Sequence, residues 1–168
     1  MAPGVREARI GLGGGCHWCT EAVFAALRSV TDVEQGFIRS DPPHEAFAEA
    51  VVVAFDPEAL PLEVLIEVHL RTHSSASAHK LRGKYRSAVY AFDEAQGARA
   101  RVILADLQPG FDRPLVTQVL PFAGFRPSDE RYRGYYARGP DRPFCRTYIE
   151  PKLARLRREF AAHAAPAA

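Results

Sequence analysis

The sequence predicts an α+β fold, a ferredoxin-like α/β sandwich with a β-α-β-β-α-β core and a C-terminal helical extension. Three observations carry this expectation. Apolar runs of strand length and segments of helical period follow one another in that order. Clusters of Gly, Pro and Asp fall between them, where the chain must turn. No repeat, linker or shift in composition divides the chain, so residues 1–168 read as one domain.

Taken in order, residues 8–12 (Ala-Arg-Ile-Gly-Leu) form a short strand, and the glycines at 13–15 turn it into a helix over 16–29, where Val23, Leu27 and Val30 recur near helical spacing. A second strand is expected over 33–39, followed by the polar, proline-containing loop 40–44. Residues 48–55 (Ala-Glu-Ala-Val-Val-Val-Ala-Phe) are a strand stopped by Asp56-Pro57. Leu62, Leu65, Ile66 and Leu70 mark a helix over 62–70, and residues 86–92 a further strand. Asp93 is placed to cap a helix over 93–107 that Pro109-Gly110 ends. A last strand is expected over 115–120, then an aromatic-rich piece (Phe122, Phe125, Tyr132, Tyr135, Tyr136) and a helix over 151–162. The alanine-rich end is expected to fray.

Composition narrows the function. A chain of 168 residues with 47% hydrophobic and 25% charged residues is long enough to bury a core without disulfides. A net charge of +2 with no Lys/Arg run gives no nucleic-acid footprint. The cations Lys152, Arg155, Arg157 and Arg158 read as a solvated helix face. No apolar run approaches the roughly 20 residues of a membrane span. The N-terminus lacks a signal-peptide core, so a cytoplasmic monomer is expected. Three cysteines, two of them in a C-x-x-C, fit a reducing compartment and redox or metal chemistry.

The run Gly-Gly-Gly-Cys-His-Trp-Cys-Thr-Glu-Ala-Val-Phe at 13–24 carries the most chemistry. It places Cys16 at a helix start, where free backbone N–H groups and the dipole favour an anion. A thiol there can fall from about 8.5 into the range of roughly 3.5–7.5 and become a nucleophile. Three glycines, a thiol and a Trp serve core packing poorly.

This run resembles the signature of the A-type peptide methionine sulfoxide reductases. Three further stretches agree in order: Ala48-Glu49 with Val51 to Val53 and Asp56-Pro57; Lys84-Tyr85-Arg86-Ser87-Ala88-Val89-Tyr90; and Phe125 through Ser128-Asp129-Glu130-Arg131-Tyr132 to Tyr135-Tyr136. The resemblance implies thiol-dependent reduction of methionine S-sulfoxide, free or in peptides. It implies a cysteine sulfenic acid intermediate and no cofactor besides a dithiol reductant such as thioredoxin. Cys16 is then the nucleophile, Glu49 the proton donor and Tyr85 a hydrogen-bond partner of the sulfoxide oxygen. Trp18 receives the substrate methyl. Partial burial of Glu49 on its apolar strand would favour the neutral acid. Cys19 and Cys145 are the candidate resolving thiols, Cys19 being favoured because it lies three residues away.

Departures from the family pattern concern the substrate. His17 stands where the family has Phe, the 40–47 loop lacks a family Tyr, and Lys80 falls at an acidic position. His17 is therefore a substrate-site residue with a polar edge, and the substrate can be another small or anionic sulfoxide. Two other classes stay open: a structural Cys₃His zinc site built on Cys16, Cys19, Cys145 and a His, and a general C-x-x-C thiol–disulfide oxidoreductase.

Overall fold

The computed structural model describes residues 7–77 and 84–165. Within them a mixed α/β fold is built on a six-stranded sheet. The elements are β1 (Ala8–Gly13), α1 (His17–Ala25), β2 (Val30–Arg39), β3 (Ala48–Phe55), α2 (Leu62–Thr72), β4 (Ala88–Ala91), α3 (Glu94–Leu107), β5 (Gln118–Pro121), β6 (Gly124–Pro127), α4 (Tyr135–Arg138) and α5 (Glu150–Glu159). Strand order is β5-β4-β1-β3-β2-β6, antiparallel throughout except that β5 runs parallel to β4. No helix among the described residues is long and apolar enough to cross a membrane.

The period of two in β3 sorts the interior. Val51, Val53 and Phe55 join Ile10, Leu12 and Val89 beneath Val23, Phe24, Leu65, Ile66 and Ile103 of the helices. Ala50 and Val52 join Ile38, Ala88 and Tyr90 on the opposite face, under Phe92, Leu120, Phe122 and Phe125. Each large apolar side chain fully withdrawn from water stabilises the fold by about 1.5–3 kcal/mol before entropy is counted. Glu49 precedes Ala50, so the same alternation turns it toward the helical face. Asp93 caps α3 as its sequence suggests, accepting from the Gln96 N–H at 2.7 Å.

Several boundaries differ from expectation for local reasons. Helix α1 ends at Ala25 rather than at residue 29, because Leu27 leaves the helix to bridge Ala164. Strand β4 spans 88–91 rather than 86–92. Arg86 ahead of it turns inward instead, donating to Ala46 O, Ile38 O and Tyr90 Oη at 3.0 Å each. Strand β5 starts at Gln118 rather than at 115, and β6 was not foreseen: Gly124 and Pro127 at its ends disguise it. Helix α5 is preceded by one wide turn, Cys145–Ile149. The alanine-rich end is pinned rather than frayed as far as Ala165, whose N–H reaches Ala26 O at 2.7 Å, with Ala164 buried.

Gly36 sets the spacing of β2 and β6. A Cβ there would lie 2.2 Å from the Arg126 carbonyl oxygen and 2.6 Å from the Phe125 ring. Gly36→Ala should therefore separate the two strands and destabilise the protein by about 1–3 kcal/mol or more, read from urea denaturation. Gly124→Ala, whose Cβ meets only the flexible Arg39 side chain, should cost less than about 1 kcal/mol. Equal effects would place the constraint elsewhere.

Candidate active site

Register brings one end of three strands together. Gly13, the last residue of β1, is opposite Ala50 in β3 and Ala88 in β4. Cys16 just beyond β1, Glu49 just ahead of Ala50 and Tyr85 just ahead of β4 thus converge at one edge of the sheet. The Glu49 N–H donates to Lys84 O at 3.1 Å, which closes that edge.

Cys16 is the N-cap residue of α1, with extended backbone (φ −60°, ψ 127°) and no capping hydrogen bond from its side chain. The Cys19 and Thr20 N–H groups both donate to its carbonyl. The thiol is held below the usual cysteine range. A hydrogen bond from the Cys19 thiol does most of this, against burial, with help from the Trp18 N–H at the helix start. Cys19, the donor, is correspondingly pushed well above that range by the same bond and by burial.

Glu49 is 7% exposed. Its Oε1 accepts from the His17 backbone N–H at 3.2 Å, satisfying a donor that no helical carbonyl can reach. Oε2 lies 3.5 Å from Lys84 Nζ. Lys84 also hydrogen-bonds Tyr85 and sits over its ring at 5.1 Å, so it links Tyr85 to the carboxylate. His17, expected to present a polar edge to substrate, is 7% exposed. Its Nδ1 lies 2.8 Å from Gly36 O and its Nε2 3.4 Å from Glu49 Oε1.

Trp18 is half-buried in an aromatic cluster supplied by the C-terminal segment. Its ring stacks on Tyr135 at 4.2 Å and on Tyr132 at 5.6 Å, with Phe144 edge-on at 5.3 Å. Glu21, the acid of the cysteine motif, fastens that segment by accepting from the Gly134 N–H at 3.0 Å and from Gln35 Nε2 at 3.1 Å.

All three thiols are free and lie in one apolar cluster: Cys145 is fully buried with Cys19, Ala22, Ile149 and Leu153, and Cys16 packs against them. Burial pushes the Cys145 thiol up. Among the described residues no group of three or more His, Cys, Asp or Glu is arranged to hold a metal ion. Lys80, one of the departures in the sequence, lies outside the described residues.

Lys152 corrects the sequence reading. It is not on a solvated face but lines a cavity of about 50 Å³ with Gly15, Cys16, Cys19, Thr72 and His73. Its ammonium donates to Thr72 O and acts on both thiols, favouring negative charge on Cys19. The signal was present in spacing: Lys152 follows Cys145 and Ile149 on the face that Leu153 and Leu156 bury. His69 and His73 were also missed. His69 Nε2 lies 2.8 Å from Gly13 O and His73 Nε2 2.8 Å from Ser87 Oγ, which braces the glycine turn from behind.

The family model described as peptide methionine sulfoxide reductase matches residues 8–164. Peptide methionine sulfoxide reductase MsrA of Thermus thermophilus is 35% identical over 163 residues, covering 89% of this chain and 93% of its own. The reduced form of Mxr1 from Saccharomyces cerevisiae superposes with a TM-score of 0.73 at 20% identity, over 88% of this chain and 94% of that one. Mxr1 in complex with Trx2 gives 0.63 at 23% identity, over 80% and 88%. The fold is shared with both.

Removing the Cys19 donor should raise the Cys16 pKa. Alkylation of Cys16 by iodoacetamide against pH, in a Cys145→Ser background, should move to higher pH in Cys19→Ala and stay low in Cys19→Ser, whose hydroxyl still donates. An unmoved profile in the alanine variant would assign the lowered value to the helix start instead.

Proposed function

The chain belongs to the peptide methionine sulfoxide reductase family, and from that premise we propose how its residues reduce a methionine sulfoxide. The observation that carries the proposal is an acidified thiol at the start of α1 beside a buried carboxyl group. The Cys16 thiolate attacks the sulfoxide sulfur of methionine S-sulfoxide, free or in a peptide. Glu49 delivers the proton that the departing oxygen needs, and Tyr85 donates a hydrogen bond to that oxygen. Trp18, its plane held by Tyr135 and Tyr132, offers an apolar wall to the substrate methyl.

Reduction leaves Cys16 as a sulfenic acid, which Cys19 closes to a disulfide, the charge of Lys152 assisting its thiolate. Cys145, in the same cluster, is the alternative resolving thiol. A dithiol such as thioredoxin returns the enzyme to its reduced state; the yeast neighbour Mxr1 forms a complex with Trx2. No prosthetic cofactor enters this scheme. We read the β4-β1-β3-β2 core with α1 and α2 as a ferredoxin-like arrangement, and residues 1–168 as one catalytic domain.

A second reading, a small anionic sulfoxide as substrate, rests on two cations at the site. Lys84 faces Glu49, and Arg126 lies over Phe37 at 5.0 Å and over Phe47 at 4.9 Å. Assayed with a dithiol, a panel of free, peptide-bound and non-methionine sulfoxides distinguishes the two. Full turnover of the peptide substrate supports the first reading, and turnover confined to small acidic sulfoxides supports the second.

Cys16→Ser should abolish reduction, since an alcohol cannot replace the thiolate. Glu49→Gln should slow sulfenic acid formation by about 10²–10⁴-fold at neutral pH and by less in acid, where solvent supplies the proton. An unchanged single-turnover rate would remove Glu49 from the reaction. Cys19→Ser should complete one turnover and stall; continued turnover with thioredoxin, stopped only by Cys145→Ser, would assign resolution to Cys145.

A further inference from the structure

We infer that His17 is a positioning residue that acts through Glu49, holding with it the single proton that reduction consumes. The inference rests on the reductase reading above and concerns a residue at which this chain departs from the family pattern.

Hydrogen-bond chemistry fixes the imidazole. Gly36 O can only accept, so Nδ1, 2.8 Å away, carries a hydrogen. In the neutral ring Nε2 is then a bare lone pair, and it lies 3.4 Å from Glu49 Oε1. That oxygen already accepts from the His17 N–H at 3.2 Å. An unprotonated Nε2 and a carboxylate oxygen this close repel in a buried site, and His17 and Glu49 are each 7% exposed. One proton between them removes the conflict, either as imidazolium and carboxylate or as imidazole and carboxylic acid. Gly36 is held between Ala50 and Pro127 in the sheet, so the ring cannot turn away without losing its carbonyl.

The other charged and titratable groups around this pair are accounted for. Lys84 approaches Glu49 through the other oxygen, Oε2, at 3.5 Å, and Tyr85 meets Lys84 rather than the imidazole. Cys16 adjoins His17 in the chain and feels the Glu49 charge. Arg126 lies over the Phe37 ring, whose centroid is 5.2 Å from that of His17. None of them stands between Nε2 and Oε1.

The chemistry requires one proton. Cys16–S⁻ + R₂S=O + H⁺ gives Cys16–SOH + R₂S: the substrate S–O bond breaks, an S–O bond forms on Cys16, and the proton stays on the transferred oxygen. Cysteine sulfur loses the two electrons that the sulfoxide sulfur gains. A carboxyl group alone ionises as pH rises through its own range and leaves the thiolate without a donor. Sharing with the imidazole gives that proton a second basic atom, so the carboxyl group is not the only place it can reside. His17 therefore extends the range in which thiolate and proton coexist.

The test is the single-turnover rate of sulfenic acid formation with saturating N-acetyl-methionine sulfoxide, measured from about pH 5.5 to 8.5 for the unmodified protein, His17→Phe and His17→Asn. The asparagine amide keeps a donor for Gly36 O but lacks the Nε2 function. Both variants should match the unmodified protein at the acid end and fall about tenfold or more below it at the alkaline end. In the His17→Phe/Glu49→Gln double variant the loss should be no greater than in Glu49→Gln alone, because His17 acts through the carboxyl. Uniform loss at every pH, a normal profile in His17→Asn, or multiplied losses in the double variant would overturn the inference. Absence of any single-turnover thioether product in the unmodified protein would overturn the reductase reading itself, a result distinct from all of these.

Discussion

The hydrogen bond from the His17 backbone N–H to the Glu49 carboxyl oxygen is the constraint on which the site depends. A helix start leaves donors that its own carbonyls cannot satisfy, and burying one without a partner costs about 1–3 kcal/mol. Here the partner comes from a central strand of the sheet, so a need of the helix fixes a carboxyl group beside the Cys16 thiol. The thiol at the same helix start gains from the donors that remain. Glu49 itself is aimed by the pleat of β3: its neighbours Ala48 and Ala50 face the other way, and a shift of one residue in register would turn it to the opposite face.

Much of this was legible in the sequence, for identifiable reasons. Strand β3 has the boundaries its apolar run suggests, because Asp56-Pro57 stops it and both faces are buried. Helix α3 follows its Asp93 cap and its Pro-Gly end. The Gly-Gly-Gly-Cys run is a strand-to-helix turn as expected, with Gly14 at φ +154°. What could not be read depended on contacts far along the chain. Strand β6 exists because Gly36 lets another backbone approach, and its own four residues carry no strand signal. Lys152 looks like its neighbours Arg155 and Arg158 until α5 is docked on α1. His17 looks like a polar substitution at a substrate wall until the Gly36 carbonyl claims its ring.

The C-terminal segment is as much a part of the thiol site as the motif is. Glu21 fastens it at Gly134, Tyr132 and Tyr135 stack on Trp18, and Cys145, Ile149 and Leu153 cover Cys19. Tyr136 donates to Glu150, tying α4 to α5, and the Leu27–Ala164 bridge closes the arrangement at the far end of α1. The aromatic residues of that stretch, which the sequence shows as an aromatic-rich piece, have a physical role in holding the Trp18 plane.

This interleaving of distant segments has a consequence for biosynthesis. On the ribosome the residues of α1 are made early, whereas the lysine that charges the cavity behind the thiols and the cysteine that seals it are added some 130 residues later. Until then the growing chain carries its two thiols in the C-x-x-C without the cover that Cys145, Ile149 and Leu153 later provide. The cover over these thiols is thus among the last parts of the chain to be made, and a nascent chain stalled before residue 145 carries them without it.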